Sequence, residues 1–541
     1  MSSSHPHDSN PPVDNESDDS EPEYLDEDDV AEVLEDGDDV AMNSDDDMDM
    51  DGQEEHEEIL LQNDSIAYFD IHKDSVFAVA QHPLHPHIVA TGGSEGDDDA
   101  APGKGYVIDT SSAESRRPLL PASYSSDPSA AAAAAARTTE LRPLFPIDGH
   151  TDSVNSLAFS LPKGDFLVSG GMDGRLRVYA IAIPAAGSAR QPQFKFIGES
   201  QEVVEINWVA PCPSPAFPNR VAFGASDGSV WVVAIDASDR ANPIQILQTY
   251  FLHTAACTAG AWTADGLLLA TVSEDASLHV FDVFGSAAAK SLVTDNGQTV
   301  VSLTEQDQRF AVEGGLYSVA VAPSGTFLAV GGAGGAIRIV GLPRLSPSSS
   351  TQQPQQQQTR TKQRGGAAAR RGAAAPAAAE PSNQAGAILA SLNIQSGGIE
   401  SLAFAPAPQT LLAAGSVDGS IAVFDTARSF AVRKHLKAAH DGESVVKVEF
   451  VRHPPQPAMA GWLLTTCGLD GAIRRWDLRG ATANSASATA AQTSAATGLV
   501  GEWKGHRGGG QGGGILGFVQ GETGERIVTA GDDALVLVFE A

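Results

Sequence analysis

The 541-residue sequence predicts an all-β fold in which eight short-stranded units close into a single ring behind an acidic tail. Three observations carry this expectation. The segment FLVSGGMDGRLRVYA (166–180) is an apolar run, a small-residue turn with Asp, and a strand of period-two alternation; its pattern recurs at 220–236, 267–282, 327–340, 411–425, 463–477 and 526–540. A further short strand pattern lies upstream of these copies, as in DSVNSLAFS (152–160) and GIESLAFAP (398–406). An additional unit opens at HKDSVFAVAQHPLHPHIVATGG (72–93), its turn swollen by an acidic insertion. Alternation of this kind marks half-buried strands, and regular repetition marks units that bury their faces only against neighbours.

The tail comes first. Residues 1–64 hold 26 Asp and Glu and no Lys or Arg, and so carry most of the formal charge of −35. Such a block repels itself and lacks the apolar surface to offset its ordering entropy, so it is expected to be disordered. Its field disfavours direct contact with DNA and with anionic membranes and favours basic partners. No basic and apolar leader opens the sequence, and no run of about 18 apolar residues follows, so a location in the cytoplasm, the nucleus or both is expected. Cys212, Cys257 and Cys467 are widely spaced without a CxxC pair, which argues against a disulfide framework or a zinc site.

The ring is expected over 65–541, with units beginning near 72, 149, 198, 250, 310, 395, 439 and 505; seven units is the alternative count. The last unit ends one outer strand short, and SIAYFD (65–70) is the candidate to complete it, which would remove two sheet edges together. Two inserts, 111–139 and 344–387, lack periodicity and read as disordered low-complexity loops, the second of them basic.

This pattern resembles the WD40 family, whose units are four-stranded blades of a β-propeller. The resemblance implies a hydrogen-bonded set of His, Ser or Thr, turn Asp and strand aromatic in each blade. Blade 7 has His440, Thr466, Asp470 and Trp476; blade 2 has His150, Ser169 and Asp173 with Tyr179; blade 4 has His253, Thr271 and Asp275 with Phe281; blade 8 has His506, Thr529 and Asp533 with Phe539. Buried imidazole and carboxylate groups then satisfy one another, so these residues are structural fasteners and not a catalytic set. Blade 3 keeps Asp227 alone, blade 6 keeps Asp418, and blade 5 has Gly334 at the turn.

No motif for phosphate binding, zinc hydrolysis or a nucleophile elbow stands in a suitable context, and His82, His85 and His87 lie in a Pro-containing turn where exposed histidines are ordinary. The expectation is therefore a protein that is not an enzyme and uses neither cofactor nor metal. The residue before each turn Asp and the residues around the leading aliphatic of the first strand recur at equivalent places. There the sequence supplies Glu205, Glu274, Glu400 and Asp532, with Asp74, Asp152, Glu199 and Glu202 in nearby loops. Phe77 and Tyr317 add apolar anchors, and Lys447 interrupts the acidic pattern. Such a rim suits a basic peptide.

The stretch EEILLQNDSIAYFDIHKDSVFAVAQHP (57–83), with TDSVNSLAFS and TVSEDASLHVFD downstream, resembles the fungal ribosome-assembly WD-repeat chaperones, relatives of the animal angio-associated migratory cell protein. That resemblance implies a dedicated chaperone that binds the basic N-terminal segment of newly made large-subunit protein uL16 and delivers it for late 60S assembly. It would act as a monomer, in contact with pre-60S or translating ribosomes. The alternative is a general WD40 interaction scaffold in signalling or cell migration.

Overall fold

The computed structural model describes residues 63–96, 101–113, 139–184, 190–345, 384–480, 498–508 and 512–541. The chain divides into Met1–Ile59, which lies outside the described residues together with the expected disorder of the tail, and Leu60–Ala541.

Within the second unit the alternating segments form eight sheets, antiparallel except for one added edge strand. Their innermost strands are Ala78–Gln81, Val154–Phe159, Ile206–Pro211, Cys257–Trp262, Leu316–Val321, Ile399–Phe404, Val445–Phe450 and Ile515–Val519. Each packs against the next, and the last packs against the first, so the units close into an eight-bladed β-propeller. The core sits between blades. Val154 and Leu157 of blade 2 share a buried cluster with Ala78 and Ala90 of blade 1, and the other neighbouring pairs repeat the arrangement.

Polar side chains on the innermost strands stitch neighbours together. Asn207 Nδ2 donates to the Cys257 carbonyl (3.0 Å), Thr258 Oγ1 to Leu316 (2.6 Å), Ser318 Oγ to Ile399 (2.7 Å) and Lys447 Nζ to Phe518 (2.7 Å). Ser156 and Ser401 accept the N–H groups of Val209 and Val448. Lys447 is thereby committed to the joint between blades 7 and 8.

Closure follows the expected route. Ala67–Phe69 pairs antiparallel with Val536–Glu540, with Ala67 opposite Val538 and Phe69 opposite Val536. Thr139–Glu140 adds a fifth, parallel strand to its outer edge, which the sequence pattern did not foretell. The ends of both inserts are also more regular than expected. Thr110–Ser112 is a 3₁₀ turn, Ala113 is buried, and Leu342 and Leu345 join a buried cluster; 114–138 and 346–383 lie outside the described residues.

The fasteners form in three blades as expected. His150 Nδ1 meets Asp173 at 3.0 Å and Nε2 meets Ser169 at 2.7 Å; His440 joins Asp470 (2.9 Å) and Thr466 (2.8 Å), where Trp476 Nε1 also donates; His506 joins Asp533 and Thr529, both at 2.8 Å. Tyr179 and Phe539 are buried beside their sets. These hydrogen bonds hold the carboxyls of Asp173, Asp470 and Asp533 below their ordinary range in spite of burial. Blade 4 departs: His253 keeps Thr271 (2.8 Å) beside buried Phe281, but its Nδ1 bonds Ser277 (2.6 Å), with Asp275 at 3.8 Å and turned instead to the N–H of Thr254. A serine two residues past the turn Asp is close enough to intercept the imidazole.

His82 is not exposed, as its turn suggested, but 98% buried, its imidazole bonded to the Gly164 carbonyl and to the N–H groups of Leu84 and His85. Among the described residues no group of three or more His, Cys, Asp or Glu is placed to hold a metal, and no helix is long and apolar enough to cross a membrane.

Candidate functional site

In each blade the hairpin joining the second and third strands lies at the same end of the sheet as the entry to the first strand. One main-chain bond fixes this geometry around the ring. The N–H of the last residue before the turn Asp position donates to the carbonyl of the residue preceding the first strand: Met172 to Ser153, Ser226 to Glu205, Glu274 to Ala256, Ala333 to Gly315, Val417 to Gly398, Leu469 to Ser444 and Asp532 to Gly514. Just beyond, a β-bulge frees one side chain per blade from the ladder: Asn155, Asn207, Thr258, Tyr317, Glu400, Val446 and Leu516, with Phe77 in the corresponding place of blade 1. Bulges of this kind re-aim a side chain away from the sheet. The result is a set of rings of equivalent positions around one mouth of the propeller.

Most of the expected residues fall on these rings. Glu274 and Asp532 occupy hairpin positions, Glu205 the position just before the strand, Glu400 and Tyr317 the bulges, and Phe77 the corresponding place just before the first strand of blade 1. Asp74 and Asp152 stand two residues before Val76 and Val154, at the strand entries. Val446, not Lys447, holds the blade 7 bulge, so the interruption expected from Lys447 falls off this ring.

Three side chains converge at blades 5 and 6. Gly398 leaves a gap in which a Cβ would stand 3.8 Å from Glu400 Oε1, 3.8 Å from Val417 Cγ2 and 3.9 Å from Tyr317 Cδ2. A carboxylate, an aromatic ring and an aliphatic group around one gap match the charged head and apolar stem of Lys or Arg. The Glu400 carboxyl reaches solvent, yet the surrounding walls strip enough water to push its pKa up, a cost that a docked cation relieves.

Other candidates are already engaged. Asp532 Oδ1 accepts the Ser75 hydroxyl at 2.5 Å, and Asp152 caps the Ser153 N–H. Glu199 lies apart, on the outer strand Gln193–Gln201, ion-paired with Arg177 and 3.7 Å from Arg175. Glu202, exposed in the loop after that strand, accepts from Ser200 (3.0 Å).

Sequence reasoning missed Glu443, which stands in the same register to Val445 as Asp74 to Val76; aligning every strand entry would have found it. It also missed three apolar side chains exposed at hairpins or strand entries, Met172, Val204 and Val417, of which Val204 is 71% exposed. Hydrophobicity alone assigns such residues to the core, and only their place in the repeat marks them as surface.

The family pattern described as "WD domain, G-beta repeat" matches residues 141–180, 244–282 and 386–425. The ribosome assembly protein SQT1 of Saccharomyces cerevisiae is 33% identical over 247 residues, which is 45% of this chain and 47% of that protein. An uncharacterized WD repeat-containing protein of Schizosaccharomyces pombe is 33% identical over 153 residues, 28% of this chain and 30% of that protein. The chain thus spans about half the length, or less, of these curated relatives. The crystal structure of Chaetomium thermophilum Sqt1 bound to the N-terminus of the ribosomal protein L10 is 62% identical, covers 89% of this chain and 100% of its own, and superposes with a TM-score of 0.72.

Proposed function

The chain belongs to the Sqt1 family of WD40-repeat proteins, and from that footing we propose that it is a chaperone holding the basic N-terminal segment of ribosomal protein L10 (uL16) on its acidic mouth before 60S assembly. The observation that carries this reading is the 62% identical relative crystallised with that segment, whose full length this chain spans. The mouth supports it chemically. Glu205, Glu274 and Glu400 offer carboxylates, and Tyr317, Phe77 and Val417 offer apolar contact, at one end of the ring. A ribosomal protein without its RNA carries uncompensated positive charge, and complementary carboxylates capture it quickly and shield it from stray RNA. No nucleotide chemistry is needed for release, because rRNA phosphates compete for the same cations. Capture of a newly made client places the work in the cytoplasm.

The test is titration calorimetry with the client's N-terminal peptide. The double substitution Glu205→Lys and Glu400→Lys weakens binding by about 100-fold, on the scale of 1–2 kcal/mol per reversed contact, with the circular-dichroism spectrum unchanged. Unaltered affinity would remove both residues from the site, and capture of many unrelated nascent chains would favour the scaffold reading.

A further inference from the structure

The closing strand Ala67–Phe69 is held along both of its edges. One edge pairs with Val536–Glu540, the last strand of the chain. The other pairs with Thr139–Glu140, where the Thr139 N–H donates to the Ile66 carbonyl (3.0 Å) and the Leu141 N–H to the Tyr68 carbonyl (2.8 Å). Thr139–Glu140 leads through Leu141 straight into Pro143–Ile147, the outer strand of blade 1. The second edge is therefore gripped by the blade that follows the closing strand in sequence, not by the blade it completes.

That grip needs little from blade 8. Leu141 and Ala113 are buried in one cluster with Ile66, Ala67 and Phe69; nine of its thirteen buried side chains come from residues 66–141, and only Val528, Ala530, Val536 and Val538 belong to blade 8. The Phe69 ring meets Tyr106, on the third strand of blade 1, edge to face at 5.3 Å. Thr110, at the start of the turn that leads to Ala113, is tied to the His87 carbonyl of the same blade by its N–H (2.8 Å) and its hydroxyl (3.2 Å). Blade 8 then adds a hold of its own, for Arg526 donates to the carbonyls of Thr110 (2.6 Å) and Ala113 (2.8 Å). Contacts near in sequence form before remote ones, because loop closure must precede the contacts that reward it.

We propose that Thr139–Glu140 and Leu141 are a strap that seats the closing strand against blade 1 before the last strand arrives, leaving the opposite edge of Ala67–Phe69 presented to Val536–Glu540. Ring closure is then the addition of one strand to a preformed two-strand ribbon, and Arg526 locks the strap once blade 8 is in place. A free strand loses its conformational entropy at the moment of pairing, whereas a seated one has lost it already. The strap stands independently of the reading of the mouth.

The experiment refolds the full chain from urea and follows amide protection by pulsed hydrogen exchange with residue-level mass spectrometry. The Thr139 and Leu141 amides report the strap, and the Ile66 amide, bonded to the Val538 carbonyl at 2.8 Å, reports closure. The strap amides are expected to be protected first. Thr139→Pro, which removes one strap donor, should slow protection of Ile66 about fivefold, the scale of one main-chain hydrogen bond already formed when closure occurs. Thr139→Ala keeps the N–H and should leave that rate unchanged. Protection of Ile66 before or together with Leu141, or closure of Thr139→Pro at the wild-type rate, overturns the proposal. Should Thr139→Pro not fold, Leu141→Ala, which thins the buried anchor and keeps every main-chain bond, decides in its place: slower closure upholds the strap, and closure at the wild-type rate overturns it.

Discussion

Ser75, at the entry to blade 1, donates its hydroxyl to the carboxylate of Asp532, at the hairpin of blade 8, at 2.5 Å. The Val76 N–H beside it reaches the Gly531 carbonyl at 3.0 Å. The first and last blades are therefore latched where the propeller closes, by a charge-assisted bond at the rim of the mouth. Ser75→Ala is expected to lower stability by about 1 kcal/mol, the scale of one such bond at a partly exposed site. An unshifted denaturation midpoint would show the latch to be energetically idle.

Truncation separates the tail from the closing strand. Removing residues 1–62 leaves every described strand in place, so melting should be unchanged. Removing 1–70 strips Ala67–Phe69 and its buried Phe69, and exposes Val536–Glu540 as an edge. Apolar burial lost with Phe69 alone is worth about 2–3 kcal/mol, and an open edge templates association. The longer truncation should melt earlier and aggregate in light scattering; equal melting of the two would mean that the ring closes without that strand.

Trp208 lies on the innermost strand of blade 3 over two glycines, Gly224 of its own blade and Gly260 of blade 4. A Cβ at either would overlap the indole. Gly260→Val should therefore cost about 2–4 kcal/mol as overpacking between blades, with a blue-shift or loss of ordered tryptophan fluorescence. A variant as stable as the wild type would show that the ring widens freely.

Stability should fall on mild acidification. His72, bonded through Nε2 to Thr91, and His279, bonded to Ser302, are buried with pKa values pushed down to about 4 by desolvation. Between that value and the unfolded value near 6.5 the unfolded chain binds protons that the native chain refuses, so stability is full above about pH 7 and declines toward pH 4. Each residue contributes on the order of 2–3 kcal/mol to this loss. The fastener carboxylates, held low, add a further loss only as pH falls below their ordinary range near 3.8. Denaturant midpoints across pH 7.5–4.5 check the slope, which His279→Gln should flatten; a slope that survives unchanged would exclude His279 as a source.

The strands, the blade count and the closing segment were legible because each rests on local alternation repeated many times. Sites where one residue type stands in for another were not. His72 with Thr91 is the blade 1 counterpart of the His–Thr pair, but the acidic insertion removes the turn Asp that would have marked it. In blade 6 Gln395 takes the histidine's place, donating to Ser420, while Asp418 bonds Ser396. For the mouth, the sequence located Glu400 and Tyr317 by register, but their shared gap at Gly398 depends on two adjacent blades. Asp532 could not be told from an unoccupied carboxylate, since its partner Ser75 is 457 residues away.

The pairing of Ala67 with Val538 also orders events in time. At roughly 5–20 residues per second, a ribosome needs about half a minute to a minute and a half to pass from one to the other. Throughout that interval the early strand waits without its mate and the wheel stays unlocked, so a protein proposed to guard a half-made neighbour must itself go through synthesis with an unguarded seam.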